Sequence, residues 1–126
     1  MKLLLDSHLL LWVASEPARI STRARNLIAA SERYFSAASL WELAIKSALG
    51  RRDFVVDVAA LHQGLRANQY GELPVTGAHA LFTTNLPPIH KDPFDRILVA
   101  QAMLEGLTLL TVDATLARYG GAVRLM

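Results

Sequence analysis

The chain has 126 residues, which is enough for one domain with a buried core and too few for two independent ones. Its net charge of +2 permits a polyanionic substrate but does not resemble the clustered lysines and arginines of a dedicated nucleic-acid-binding arm. The absence of cysteine excludes disulfides, thiolate catalysis and Cys-ligated zinc, and it indicates a reducing compartment.

Hydrophobic residues make up 52% of the sequence and the mean hydropathy is +0.28, which is high for a small soluble domain. We therefore expect a homodimer or an obligate partner chain to cover apolar surface. The first residues, MKLLLDSHLLLWVA, resemble a secretory leader, but Asp6 and His8 divide the apolar run into pieces too short for a leader or a membrane span. We expect a soluble, cytoplasmic protein with no membrane contact.

The first half of the chain predicts strands that alternate with helices. In chain order these are a buried strand KLLLD, a helix SHLLLWVAS, a helix TRARNLIAA capped by Ser21, a short strand RYFSA and a helix SLWELAIKSALG. In the last of these helices, Ser39 and Glu42 fit a capping box, and Gly50 lies where a helix would end.

The second half continues the alternation. It predicts a helix DVAALHQGLRANQ, a strand ELPVT, a helix GAHALFTTNLPP running into a proline-stopped loop, a helix from Pro93 to about Glu105, a strand LTLLTVD, a short helix ATLARYGG and a strand AVRLM. Because no hairpin turn separates consecutive strands, the pattern predicts an α/β sandwich on a mainly parallel sheet.

Two predicted strands end in a carboxylate, Asp6 and Asp113. In open α/β sheets, functional sites form beyond the carboxyl ends of the strands, where the strand order reverses. Either aspartate alone is explained most simply as the cap of the helix that follows it. Their matched positions favour a shared site.

Two further carboxylates are predicted near the starts of helices. Glu42 is explained by the capping box with Ser39 and by a pair with Lys46. Capping does not exclude metal binding, because both place a carboxylate in the first turn of a helix, directed beyond its N-terminus. In HKDPFDRILVAQA, Asp92 precedes a proline suited to the first helical position and is the predicted N-cap. Asp95 is the better functional candidate, because its carboxylate points forward from the helix start.

Four carboxylates from four elements are thus predicted to converge, namely Asp6, Glu42, Asp95 and Asp113. Such a cluster repels itself and raises pKa values unless a hard cation with an all-oxygen shell is bound, and Mg²⁺ or Mn²⁺ suits it better than zinc. The four histidines show no metal-binding spacing and are predicted to be partly buried or on the surface.

Other polar and aromatic residues carry weaker signals. Ser7 and Ser39 are candidate hydrogen-bond donors to a ligating carboxylate, although local capping explains both equally well. Five basic residues are candidate phosphate contacts, with solvated surface charge as the ordinary explanation. They are Lys46, Arg51, Arg52, Lys91 and Arg96. Three aromatic residues at helical positions are predicted to be core, namely Trp12, Trp41 and Phe94.

With these residues in place, the sequence resembles the PIN-domain proteins, in particular the VapC-type ribonuclease toxins of bacterial toxin-antitoxin pairs. The resemblance covers nearly the whole chain, through LLLDSHLLLW, AASLWELAIK, LPPIHKDPFDRILVAQA and LTLLTVD. It implies that residues 1–126 form a single PIN-like domain, a three-layer α/β/α sandwich with a mainly parallel central sheet. It also implies that the catalytic, metal-binding residues are Asp6, Glu42, Asp95 and Asp113.

The same resemblance implies a function. The expected activity is that of an endoribonuclease dependent on Mg²⁺ or Mn²⁺, which hydrolyses RNA to leave a 5′-phosphate and a 3′-hydroxyl. The expected partners are a second copy in a homodimer and a VapB-type antitoxin whose C-terminal segment covers the active-site groove.

Two other functions stay open on the sequence. A receiver-like phosphotransfer domain also carries aspartates at strand ends, but it needs adjacent acidic residues after the first strand, and LLLDSH offers one. A PIN-like binding module without catalysis is the other, and the retention of all four carboxylates argues against it. A divalent metal that raises the melting temperature of the wild type and not of Asp6→Asn would favour a metal-dependent enzyme over both.

Overall fold

A computed structural model describes residues 1–50 and 56–126 of the chain. Within these ranges the strands are β1 (Lys2–Leu5), β2 (Glu32–Ser36), β3 (Gly71–Leu73), β4 (Thr108–Thr111) and β5 (Val123–Leu125). The α-helices there are α1 (Ser7–Ser15), α2 (Thr22–Ala29), α3 (Ala37–Ala48), α4 (Val58–Ala67), α5 (Gly77–Phe82), α6 (Pro93–Glu105) and α7 (Ala114–Ala117). Across the described part of the chain, no helix is both long enough and apolar enough to cross a membrane.

The five strands form one sheet in the order β3-β2-β1-β4-β5, and every pairing is parallel. Leucines along β1 alternate between the two faces, as the two-residue period of a strand requires. Leu3 and Leu5 pack in a core with residues of α1 to α4, whereas Leu4 packs in a second core with residues of α6 and α7. The predicted three-layer α/β/α sandwich is confirmed, with a sheet that is wholly rather than mainly parallel.

Helix boundaries follow local capping chemistry at most predicted positions. Helices α1 and α6 cover the residues that the sequence predicts, and Gly106 ends α6 with the left-handed backbone (φ 66°) that favours glycine. The Ser21 side chain accepts a hydrogen bond from the Ala24 N–H, as expected for an N-cap.

The predicted capping box of Ser39 and Glu42 is wrong. Strand β2 runs directly into α3, and Ser36, the last strand residue, caps the helix by accepting a hydrogen bond from the Ala38 N–H at 3.0 Å. Because α3 begins at Ala37, Ser39 already lies inside its first turn. The side chain of Glu42 is therefore available for contacts outside its own helix. Gly50 follows the end of α3 with φ 67°, as the predicted stop requires.

The prediction that Trp41 belongs to the core is also wrong, because 64% of this residue is exposed. Helix α3 buries the side that carries Ser39, Glu42 and Leu43, and Trp41 lies on the other side. Trp12 and Phe94 are partly buried, and Trp12 packs against the core that contains Leu3.

Candidate functional site

The candidate site lies where the strand order reverses, between β1 and β4. From β1 the chain proceeds to β2 and β3 on one side, and it returns to β4 on the other side of β1. Leu5 of β1 pairs with Leu110 of β4, so Asp6 and Thr111 follow them side by side at the carboxyl edge of the sheet. This is the position at which open parallel sheets form a crevice.

Asp6 lies at this edge and is buried, with 1% of the residue exposed. One carboxylate oxygen accepts a hydrogen bond from the Leu9 N–H at 2.9 Å and the other from the Thr111 hydroxyl at 2.5 Å. The Thr111 oxygen in turn accepts from the Asp113 N–H at 2.9 Å, which joins the two strand ends. Burial raises the pKa of Asp6, against the lowering effect of the hydrogen bonds from Thr111 and Leu9.

Glu42 reaches the same region from α3 and is 3% exposed. Its Oε1 lies 2.7 Å from the Ser7 hydroxyl, which is also 3.0 Å from the Ser39 hydroxyl. Its Oε2 accepts from Lys46 at 2.8 Å, one helical turn later. The predicted hydrogen bond from Ser7 to a candidate carboxylate is thus present. Lys46 forms an ion pair with Glu42 and is not simply a solvated surface charge.

Asp95 lies in the first turn of α6, whose N-cap is Asp92, as predicted. Burial raises the pKa of Asp95 to about 7, helped by the negative charges of Asp92, Glu42 and Asp6, while His90 acts in the opposite direction. These effects show that the Asp95 carboxyl group lies in the field of the other site carboxylates. The structure therefore brings Asp6, Glu42 and Asp95 to one edge of the sheet.

Asp113 caps α7 and completes the edge. Its Oδ1 accepts from the Thr115 N–H at 2.8 Å, and its Oδ2 lies 3.2 Å from His90 Nε2. Partial burial would raise the pKa of Asp113, but the hydrogen bonds from Thr115 and His90 outweigh it and lower the pKa. Asp113 thus caps α7, as the simplest explanation predicts, and its second carboxylate oxygen lies beside His90; its part in a shared site stays a prediction.

His90 is the residue that the sequence reasoning missed. Within the described ranges, one side-chain nitrogen of His90 and one carboxylate oxygen each of Asp95 and Asp113 lie within 4.8 Å of one another. No regular ligand spacing reveals this group, because Asp113 lies 18 residues beyond Asp95, at the start of another helix. The available signal is position, since His90 stands two residues before the N-cap of the helix that carries Asp95.

The basic residues that are predicted phosphate contacts differ in their surroundings. Arg96 donates to the main-chain oxygens of Thr83 and Pro87 and to the Tyr119 hydroxyl, so it supports the protein's own loop rather than presenting a free charge. Lys91 is exposed. The remaining two predicted phosphate contacts, Arg51 and Arg52, lie outside the described residues.

Comparison with known proteins identifies the fold and its family. The family model for the PIN domain matches residues 3–122, and the chain belongs to the PIN-domain family. Over 118 residues it is 33% identical to Ribonuclease VapC22 of Mycobacterium tuberculosis, an alignment that covers 92% of this chain and 90% of the relative.

Several solved structures share the architecture. VapBC2 of Rickettsia felis, bound to a DNA fragment from its promoter, matches with a TM-score of 0.71 and 13% identity over 100% of this chain and 98% of that one. VapBC-1 of nontypeable Haemophilus influenzae gives 0.67 and 16% over 100% and 97%. FitAcB of Neisseria gonorrhoeae gives 0.62 and 23% over 96% and 95%. At these identities the similarity supports the fold.

Proposed function

We propose that this chain is a divalent-metal-dependent endoribonuclease and the toxin component of a type II, VapBC-type toxin-antitoxin pair. One observation carries the proposal. Four elements bring Asp6, Glu42, Asp95 and Asp113 to the edge where β1 and β4 end. The alignment with a relative named as a ribonuclease, over most of both chains, supports RNA as the substrate.

The donor set fits Mg²⁺ or Mn²⁺. All four side chains offer carboxylate oxygens, which are the ligands that these hard cations prefer. The raised pKa of Asp95 is the effect expected of burial beside uncompensated negative charges, and a bound cation would remove it. A receiver-like function is disfavoured, because Ser7 occupies the position after Asp6 and contacts Glu42.

The reaction is the hydrolysis of an RNA phosphodiester. A water oxygen bonds to phosphorus, the bond to the 3′-oxygen breaks, and the products carry a 5′-phosphate and a 3′-hydroxyl. When bound, the cation supplies activation of that water and stabilises charge on the phosphate oxygens. In this chain, Leu9 and Thr111 fix the orientation of Asp6, while Ser7 and Lys46 fix that of Glu42.

Cleavage of a mixed pool of structured RNAs tests the proposal. The purified wild type is compared with Asp95→Asn in Mg²⁺, in Mn²⁺ and in EDTA. Asp57→Asn is a matched control, because Asp57 caps α4 and lies outside the site. We expect metal-dependent cleavage by the wild type and by the control and none by Asp95→Asn. Cleavage that persists in EDTA or in Asp95→Asn would contradict the proposal.

A homodimer is the proposed state of the toxin. Exposed apolar residues recur every four positions along α3 and at its C-cap, and they make one apolar stripe of Trp41, Ile45 and Leu49. Beside it, a pocket of about 340 Å³ is lined by Ala38, Trp41, Val75, Pro93, Phe94 and Ile97. A second copy that covers this surface would also account for the high hydropathy of the chain.

Sedimentation velocity tests the homodimer. We expect Trp41→Glu to convert the dimer into monomers, because a charge would be buried at the contact. Leu81→Glu is the matched control, since Leu81 is 74% exposed but lies on α5, away from the stripe. A wild type that sediments as a monomer, or a Trp41→Glu protein that remains dimeric, would rule this interface out.

A VapB-type antitoxin is the second proposed partner. The solved neighbours include VapBC assemblies, and a groove of about 510 Å³ beside α1 and α4 offers apolar side chains such as Leu11, Leu61 and Leu65. An amphipathic segment of a partner would bury its apolar side there. Ala60 lines this groove, whereas the adjacent exposed Ala59 does not. We expect Ala60→Glu, and not Ala59→Glu, to weaken binding of a VapB-type antitoxin, as measured by calorimetry.

A further inference from the structure

The backbone at His90 is held in place by side chains from two other elements. The His90 N–H donates to the Tyr119 hydroxyl oxygen at 3.0 Å, and Arg96 Nη1 donates to the same oxygen at 3.0 Å. Arg96 also donates to the main-chain oxygens of Pro87 at 3.1 Å and Thr83 at 2.8 Å. Side chains of α6 and of the turn after α7 therefore hold the backbone at residues 83–90 in place.

The hydrogen bonds of the ring define its tautomer. Nδ1 of His90 accepts from the Asp92 N–H at 3.1 Å. A backbone N–H is always a donor, so Nδ1 carries no proton and the neutral ring is protonated on Nε2. Nε2 lies 3.2 Å from Asp113 Oδ2 and 3.3 Å from Asp95 Oδ2, and both oxygens are acceptors when the two carboxyl groups are ionised. The unprotonated Nδ1 therefore faces a donor, and the protonated Nε2 faces two carboxylate oxygens.

This arrangement conflicts with metal ligation by His90. A histidine that binds a metal through Nε2 uses its lone pair there and carries its proton on Nδ1, which then donates to an acceptor. In this chain, Nδ1 faces the Asp92 N–H, and a proton on Nδ1 would oppose another donor. The distances alone would allow His90 to bind a metal together with two carboxylates. The direction of the hydrogen bond at Nδ1 argues against His90 as a ligand.

We propose that His90 is a positioning residue that donates its Nε2–H to the Asp95 and Asp113 carboxylates and is not a ligand of the metal. Its role is to hold two like-charged groups at a fixed separation, so that they need not reorganise when a cation binds. The inference rests on the proposed function for the identity of that cation. The tautomer itself is a property of the metal-free protein.

NMR spectroscopy of ¹⁵N-histidine-labelled protein tests the tautomer directly. Two-bond ¹H–¹⁵N correlations distinguish the protonated nitrogen of each ring from the unprotonated one. In metal-free protein we expect an unprotonated Nδ1 and a protonated Nε2 for His90, and the same pattern after titration with diamagnetic Mg²⁺. A proton on Nδ1, or loss of the Nε2 proton when Mg²⁺ is added, would overturn the proposal.

Two substitutions supply a second readout, the affinity for Mn²⁺ measured from the electron paramagnetic resonance of the free ion. His90→Gln places an amide N–H donor near the position of Nε2 but offers no imidazole ligand, whereas His90→Leu removes the donor. Because lost supporting contacts cost ~10–100-fold in metal affinity, we expect that loss in His90→Leu and recovery in His90→Gln to within ~3-fold of the wild type. Equal weakening in both variants, each with an intact melting transition, would identify His90 as a ligand. A wild type that binds no Mn²⁺ would overturn the proposed function, while the tautomer would still decide the role of His90.

Discussion

The two halves of the acidic site differ in how completely their charges are satisfied. The inner half, Asp6 and Glu42, is almost fully buried, and each of its four carboxylate oxygens has a hydrogen-bond partner. The outer half, Asp95 and Asp113, has side chains that are 16% and 36% exposed. There Asp95 keeps a raised pKa, whereas hydrogen bonds lower that of Asp113.

This contrast indicates that the two pairs of carboxylates have different roles in one site. The inner carboxylates are oriented by the fold itself, because strand ends and helix starts supply their partners. The outer carboxylates are more accessible to solvent, and ionisation of Asp95 carries an electrostatic cost that a bound cation would relieve. Four substitutions distinguish the two halves.

Asp6→Asn addresses the inner half and is expected to have the largest effect. Asparagine still caps α1, because its side-chain oxygen accepts a hydrogen bond from the Leu9 N–H, but it removes the charge of a proposed ligand. Because even supporting contacts of metal sites are worth ~10–100-fold, we expect kcat for RNA cleavage to fall by more than about 100-fold. The circular dichroism melt should remain cooperative. An Asp6→Asn protein that retains wild-type kcat would remove Asp6 from the site.

The substitution Asp95→Asn tests the outer half through the pH dependence of the free energy of unfolding. In metal-free protein, folded Asp95 keeps its proton until about pH 7, whereas the unfolded chain loses it near the ordinary pKa of 3.8. The folded state is therefore increasingly disfavoured as the pH rises between these values. At ~1.4 kcal/mol per pKa unit, removing the charge should stabilise the protein by on the order of 2–4 kcal/mol at pH 8 and by much less near pH 4.

Urea unfolding of wild type and Asp95→Asn in EDTA, at pH 4 and pH 8, measures this difference. Mn²⁺ provides the control, because it should stabilise the wild type and leave Asp95→Asn unchanged. An equal free energy of unfolding for both proteins at pH 8 would show that Asp95 bears no such cost.

Thr111→Val tests the connection between the two halves. Valine has nearly the shape of threonine, but it cannot donate to Asp6 or accept from the Asp113 N–H. Leaving buried groups without partners costs about 1–3 kcal/mol, and we expect the affinity for Mn²⁺ to fall by ~10-fold or more. Thr108→Val, at the opposite end of β4, is the matched control for stability and for calorimetric metal binding. Equal behaviour of the two variants would mean that Thr111 does not orient Asp6.

Lys46→Gln should have the smallest effect. The lysine side chain is 38% exposed, and glutamine still offers an amide N–H that can donate to the buried Glu42 carboxylate, so we expect a loss of about 1 kcal/mol. Glu42 keeps its contact with Ser7 in this variant. A loss of several kcal/mol in urea unfolding would show that the inner half depends on Lys46 for its charge balance.

Much of the fold could be predicted because its signals are local. Apolar strands, Ser21, Asp92 and Gly106 act within a few residues, and the structure has the predicted elements at those positions. The start of α3 was missed, because β2 joins it without a loop and Ser36 serves both elements. The exposed Trp41 was missed for a different reason, since helical spacing does not show which side of a helix faces the core.

The positions of the proposed acidic residues could be predicted from the sequence, whereas the groups that contact them could not. Strand ends place Asp6 and Asp113, and a helix start places Asp95, so their positions follow from secondary structure. The contacts of Thr111 and His90 depend on which strands become neighbours. The pairing of β1 with β4 joins segments about a hundred residues apart, and no local pattern records it.

Anomalous diffraction from crystals soaked in MnCl₂ would locate the metal site. We expect a manganese peak bounded by the carboxylates of Asp6, Glu42, Asp95 and Asp113, with His90 Nε2 still beside Asp113 and outside the coordination shell. A peak at another place in the molecule, or one ligated by His90 in place of these carboxylates, would contradict it.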